Sequence, residues 1–109
     1  MKVLTAKSYP ETPTALLELN HNFTAKYDPE LYPFIEKYHW FAKKSFHRWY
    51  AVAWIKVDGK RKLIRMHRLI NSTPKDLVCH HLNGDTMDNR IDNLMNITEF
   101  EHAKYFSYR

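Results

Sequence analysis

With 109 residues the chain holds one compact domain or two very small units, which excludes a large multidomain enzyme. Its net charge of +5 is unevenly spread, with residues 1–38 summing to −1, 39–76 to +8 and 77–109 to −2, so an anionic partner such as nucleic acid is expected at the middle third. The single Cys79 excludes an intrachain disulfide and a cysteine-clustered zinc site, and without a run of ~20 apolar residues or a secretory core the expected address is intracellular and cytoplasmic, with no membrane partner.

Apolar and polar residues alternate through Ala15, Leu17 and Leu19 and again through Phe23, Ala25 and Tyr27, and the polar 20–22 between them marks a short hairpin. Asp28-Pro29 opens a helix over 29–38, since the carboxylate can accept an orphan amide and proline has none to leave unbonded. Pro33 is tolerated there only within the first turn. Strands are expected at 40–44 and 49–57, the second with Tyr50, Val52 and Trp54 on one face and Ala51, Ala53, Ile55 and Val57 on the other. Trp40, Trp49 and Trp54 are assigned to the core, because so short a domain needs the aromatic burial.

Asp58-Gly59 is the strongest turn signal, and 60–66 returns as the partner strand. A short helix begins at His67-Arg68-Leu69-Ile70 and ends by Thr73-Pro74. Short strands at 77–79 and 94–97 flank a polar loop, and Thr98 with Glu101 forms a capping box for a terminal helix reaching about 107. The class is α+β. A small N-terminal antiparallel sheet with a short helix occupies a basic region, 1–66, and a strand, loop, strand and helix follow in 67–109. Neither half has the residues to bury a full core alone.

His80 and His81 stand together at a strand end, Asn93 follows His81 by twelve residues, and His102 follows Asn93 by nine. Adjacent residues of a strand face opposite ways, so one histidine can bind a metal while the other takes a proton. An unperturbed imidazole titrates near ~6.5, which suits a base working around neutral pH.

The run VCHHLNGDTMDNRIDNLMNITEFEHAK resembles the HNH endonucleases, the ββα-metal nucleases. Within them it is most similar to small homing-type or phage-encoded members, which share an HRLI segment as at 67–70; TAKYDPELYPFIEKYHW, YAV and MHRLI extend the resemblance upstream. The resemblance implies a metal-dependent endonuclease or nickase that hydrolyses phosphodiester bonds of double-stranded DNA. His81 matches the general base, Asn93 the central asparagine that holds the loop and the base in position, and His102 a ligand of the single divalent ion. His80 stands where many members carry an aspartate ligand. Imidazole in that place lowers the preference for Mg and favours Mn, Co, Ni or Zn. The acceptor that orients the base is often a backbone carbonyl in the loop, and Asp88-Asn89-Arg90 matches an element whose bonds are internal to the loop, although Arg90 could also clamp phosphate.

Beside such a motif, Lys56, Lys60, Arg61, Lys62, Arg65 and Arg68 are expected to contact phosphate, giving affinity and register without base information. Lys43, Arg48, Lys60 and Arg61 are candidates for base reading, because a two-stranded ribbon can enter the major groove. His67 is assigned a structural role, and His21, His39 and His47 surface or sheet positions. Cys79 is expected to be a buried small hydrophobe beside the site. A footprint this small implies loosely defined sites and single-strand nicking, or a homodimer or accessory phage protein for a double-strand break in a bacterial host. The alternative is a non-catalytic DNA-binding or assembly module whose histidines hold a structural metal.

Overall fold

The computed structural model describes residues 3–5 and 13–105. They form three antiparallel sheets and short helices, an α+β fold. The first sheet joins β1 (Val3–Thr5), β2 (Pro13–Glu18) and β3 (Thr24–Tyr27). A 3-10 turn (Pro29–Leu31) and α1 (Tyr32–Ile35) lead to the second sheet, β4 (Trp40–Ser45), β5 (Arg48–Val57) and β6 (Lys60–Arg65). Then come α2 (Met66–Ile70), β7 (Val78–His81), β8 (Leu94–Ile97) and α3 (Glu99–Tyr105), with β7 and β8 paired as the third sheet.

Local signals place the turns. Asp58 and Gly59 both have positive φ, 52° and 78°, as a two-residue hairpin that follows the strand twist requires. At α3 the capping box closes both ways: the Glu101 amide donates to Thr98 Oγ1 and the Thr98 amide to Glu101 Oε1, each at 3.0 Å. Thr98→Ala should therefore cost about 0.5–2 kcal/mol in urea denaturation. The part of the terminal helix expected beyond 105 lies outside the described residues.

The helix expected over 29–38 is instead a 3-10 turn followed by a single α turn. Asp28 makes no side-chain cap. Its Oδ2 accepts the Ile91 amide at 2.8 Å, a bond 63 residues away in sequence that removes the carboxylate from the helix end.

The first two sheets share one core. Ala15 and Ala25 from one sheet and Ala42, Ala51 and Ala53 from the other meet around Tyr27, Trp40 and Met66, and Met87 enters from the loop between β7 and β8. The buried cluster thus draws on residues from both sides of the Met66–His67 junction. Trp40 is buried, its Nε1 donating to the Ile35 carbonyl at 2.7 Å, and Trp49 lies half-buried against Phe23. Trp54 departs from expectation. It is 47% exposed, with the Arg61 guanidinium 4.3 Å from its ring centroid. Ala51, Val52 and Ala53 are buried in succession, so β5 is covered on both faces near its middle, and its far end runs past the core toward the Asp58-Gly59 turn.

Candidate active site

Strand alternation divides the two adjacent histidines. The His80 ring meets the His102 ring at 5.2 Å between centroids and an interplanar angle of 70°. The α3 helix follows directly on β8, the partner of β7, and so carries His102 back to β7. His80 is 4% exposed. Burial lowers its pKa, and the nearby His102, His81 and Arg48 lower it further, which favours the neutral ring. Among the described residues no three His, Cys, Asp or Glu side chains come together to hold a metal ion. The two side chains that meet here are both imidazoles. Such a pair would suit a borderline divalent ion sooner than a hard ion that prefers carboxylates.

On the opposite face of β7, His81 lies 4.6 Å from the His67 ring, and His67 stacks on Tyr50 at 5.5 Å. The Arg65 guanidinium sits 4.5 Å from the Tyr50 ring centroid. His81 Nε2 is 2.9 Å from Asn89 Oδ1. The Asn89 amide nitrogen faces Met66 Sδ at 3.3 Å, and because a thioether can only accept, this fixes which end of the amide meets the histidine. The proton of His81 then sits on Nε2, and Nδ1 carries the lone pair. The orienting acceptor is a side chain, where the sequence led us to expect a backbone carbonyl.

His81 is 2% exposed, covered by aromatic and polar groups, whereas a base that activates water needs access to it. That burial lowers its pKa; the Asn89 bond and the Asp85 and Asp88 carboxylates oppose the shift without cancelling it. His67 is pushed down to about 2, mainly by burial and then by His81, Arg65 and Arg68, so it stacks as a neutral ring.

The loop that carries Asn89 is held from several sides. The Lys26 amide donates to the Met87 carbonyl and the Asn89 amide to the Lys26 carbonyl, both at 2.8 Å, so the loop docks along β3. Asn93 ties the loop together, donating from Nδ2 to Asp88 O and Asn83 Oδ1 at 2.9 Å and accepting the Asn83 amide at 3.0 Å. Thr86 Oγ1 donates to the Trp49 carbonyl, tying the loop to β5. Asp88 is fully buried and receives Arg90 Nε at 2.8 Å and Nη2 at 2.7 Å. Burial alone would raise its pKa; Arg90, helped by Asn83, holds the carboxyl below its usual value. Arg90 also reaches Thr14 Oγ1 at 3.3 Å, so its guanidinium is engaged within the fold.

The remaining basic candidates separate into two sets. Lys43, Lys56, Lys60, Arg61 and Lys62 are exposed along the β4–β6 hairpins. Arg65 donates to Ser45 Oγ at 3.1 Å, and Arg68 to the Leu77 and Pro74 carbonyls at 2.9 and 2.8 Å, which closes the turn before β7. Arg48 reaches the Gly84 carbonyl at 3.1 Å, placing it on the loop that follows His81. Beside β6, a groove of about 690 Å³ is lined by Lys62, Arg65, Arg68 and Lys75 among others. Asn89 and Tyr50 are the site residues that sequence reasoning missed. Asn89 stands in a noticed element but nothing marked His81 as its partner, and Tyr50 was read only as a strand residue.

Among the described residues no helix is long and apolar enough to cross a membrane. A search of curated proteins and one of solved structures returned no match. The family model described as HNH endonuclease matches residues 72–104, which span β7, the loop, β8 and most of α3 and include His80, His81, Asn89, Asn93 and His102. By that match, residues 72–104 are homologous to the HNH endonucleases at the level of the family.

Proposed function

We propose that the chain is a metal-dependent DNA endonuclease or nickase, with His81 as general base, Asn93 as brace of its loop, and His80 with His102 as ligands of one divalent ion. The observation that carries this reading is the division of labour at the end of β7: His80 meets His102 on one face, while His81 is held on the other by Asn89. The HRLI segment at 67–70 supports placement among small homing-type or phage-encoded members, acting on duplex DNA in a bacterial host. Residues 1–66 present most of the basic groups and 67–109 the hydrolytic unit.

When bound, a divalent ion supplies positive charge to the phosphoryl and leaving oxygens. The chain's own residues do the rest. The Nε2 proton donated to Asn89 leaves Nδ1 as the atom that accepts a proton from water, and the lowered pKa keeps it free to do so at neutral pH. The neutral His67 and Tyr50 rings hold the imidazole plane without adding charge. Lys and Arg on the β4–β6 sheet neutralise backbone phosphates on either side of the cut.

The test is supercoiled plasmid incubated with the protein and Mg, Mn, Ni or Zn in turn. Nicked or linear product with at least one ion, abolished by chelator, is expected, with Mn ahead of Mg because the donors are imidazoles. His80→Ala and His102→Ala should each weaken Mn binding in calorimetry. Intact plasmid under every ion contradicts the reading. The burial of His81 favours a second one, a non-catalytic DNA-binding module with a structural metal, which predicts DNA binding and chelator-induced loss of thermal stability without strand scission.

A further inference from the structure

The turn between β4 and β5 holds two residues, Phe46 and His47, closed by the paired Ser45 and Arg48. Phe46 is 93% exposed, more than any other large hydrophobic side chain among the described residues, and it has a positive φ of 56°. A left-handed backbone favours glycine and is unfavourable for a bulky side chain, so the turn carries both local strain and an uncovered ring. An isolated exposed apolar residue is ordinary on a protein surface. Three further facts distinguish this one. Lys43 and Lys44 are exposed on the same hairpin. Arg48, at the base of the turn, donates to the Gly84 carbonyl, and the Gly84 amide donates to the His81 carbonyl, so the turn stands at the rim of the candidate site. The surrounding charge is cationic, which suits a polyanion better than an apolar protein surface.

We propose that Phe46 is a DNA wedge, a ring that stacks on or between bases next to the scissile phosphate while the flanking cations hold the backbone. The inference rests on the nucleic-acid reading above and deepens it. Apolar side chains inserted at a base step unstack it and kink the duplex, and pyrimidine–purine steps yield most easily. The preference of this protein for cleavage sites then follows deformability more than base-edge hydrogen bonds.

The experiment uses 30-base-pair duplexes carrying 2-aminopurine beside a T-A or C-A step, titrated with the full chain in chelator so that binding is read without cleavage. Wild type should raise the fluorescence as the base unstacks, and Phe46→Tyr should keep the rise. Phe46→Ala and Phe46→Gly should lose it and bind between about 5-fold and about 150-fold more weakly, the range for loss of one base–aromatic stack. The glycine variant relieves the positive φ, so its melting temperature should not fall, which separates lost stacking from lost folding. An equal rise with Phe46→Ala, no rise on wild-type binding, or no binding at all overturns the wedge. So does a change confined to sedimentation, which would assign the ring to a second copy of the chain. Plasmid cleavage run in parallel keeps the two readings apart. An intact plasmid with a Phe46-dependent fluorescence rise defeats only the nuclease reading, whereas cleavage with no Phe46 dependence defeats only the wedge.

Discussion

Replacing Arg90 with alanine is expected to destabilise the fold by about 3–5 kcal/mol, because it leaves the buried Asp88 carboxylate without its cationic partner. The Asp88 side chain is 1% exposed and the Arg90 side chain 24%, so the guanidinium is the cationic partner of a carboxylate that is otherwise enclosed. The same guanidinium links the loop to Thr14 on β2, and its loss should loosen the docking of Asn89 on β3. Urea denaturation measures the cost. Asp88→Asn gives the pH signature. A carboxyl held below its unfolded pKa contributes stability that is fully present above that value and is lost as pH falls through the folded pKa. The stability gap between wild type and Asp88→Asn should therefore be full at neutral pH, begin to close below the ordinary carboxylate range near ~4, and vanish in stronger acid. Asp28, raised chiefly by its burial, titrates with the opposite sign but is common to both proteins and cancels in the comparison.

His81→Ala should lower the rate of plasmid cleavage by about 100- to 10,000-fold, the usual contribution of a positioned general base. It removes no group placed to contact phosphate, so duplex binding should persist. His81 is buried, so the variant also leaves a void beside Asn89 and His67, and its melting temperature must be read alongside the rate. Asn89→Ala gives the complementary result. It retains the imidazole and removes the acceptor on Nε2, and a loss of about 10- to 100-fold in rate is expected, as for other groups that orient a working histidine. If binding falls in step with cleavage for both variants, the two residues act on structure alone.

Features set by short-range chemistry were legible in the sequence. The Asp58-Gly59 turn, the Thr98–Glu101 capping box and the opposed faces of His80 and His81 each need only a few neighbouring residues to specify them. Those that failed depend on contacts distant in the chain. Asp28 reads as a helix cap until Ile91 takes its carboxylate, and Asn89 reads as a loop residue until docking on Lys26 aims its amide at His81. Trp54 reads as core because both faces of β5 are apolar, and nothing local says that the strand outruns the second layer. The burial of His81 belongs to the same class, since Tyr50 and His67 come from separate elements that meet only in the folded chain.

Single-hit nicking of supercoiled plasmid by wild type and His81→Ala at equal protein and Mn concentrations tests most directly whether the end of β7 is a working hydrolytic centre. Open-circular product accumulating with wild type and falling to near background with the variant, at matched DNA binding, is the predicted result. Equal product from both proteins, or none from either, contradicts it.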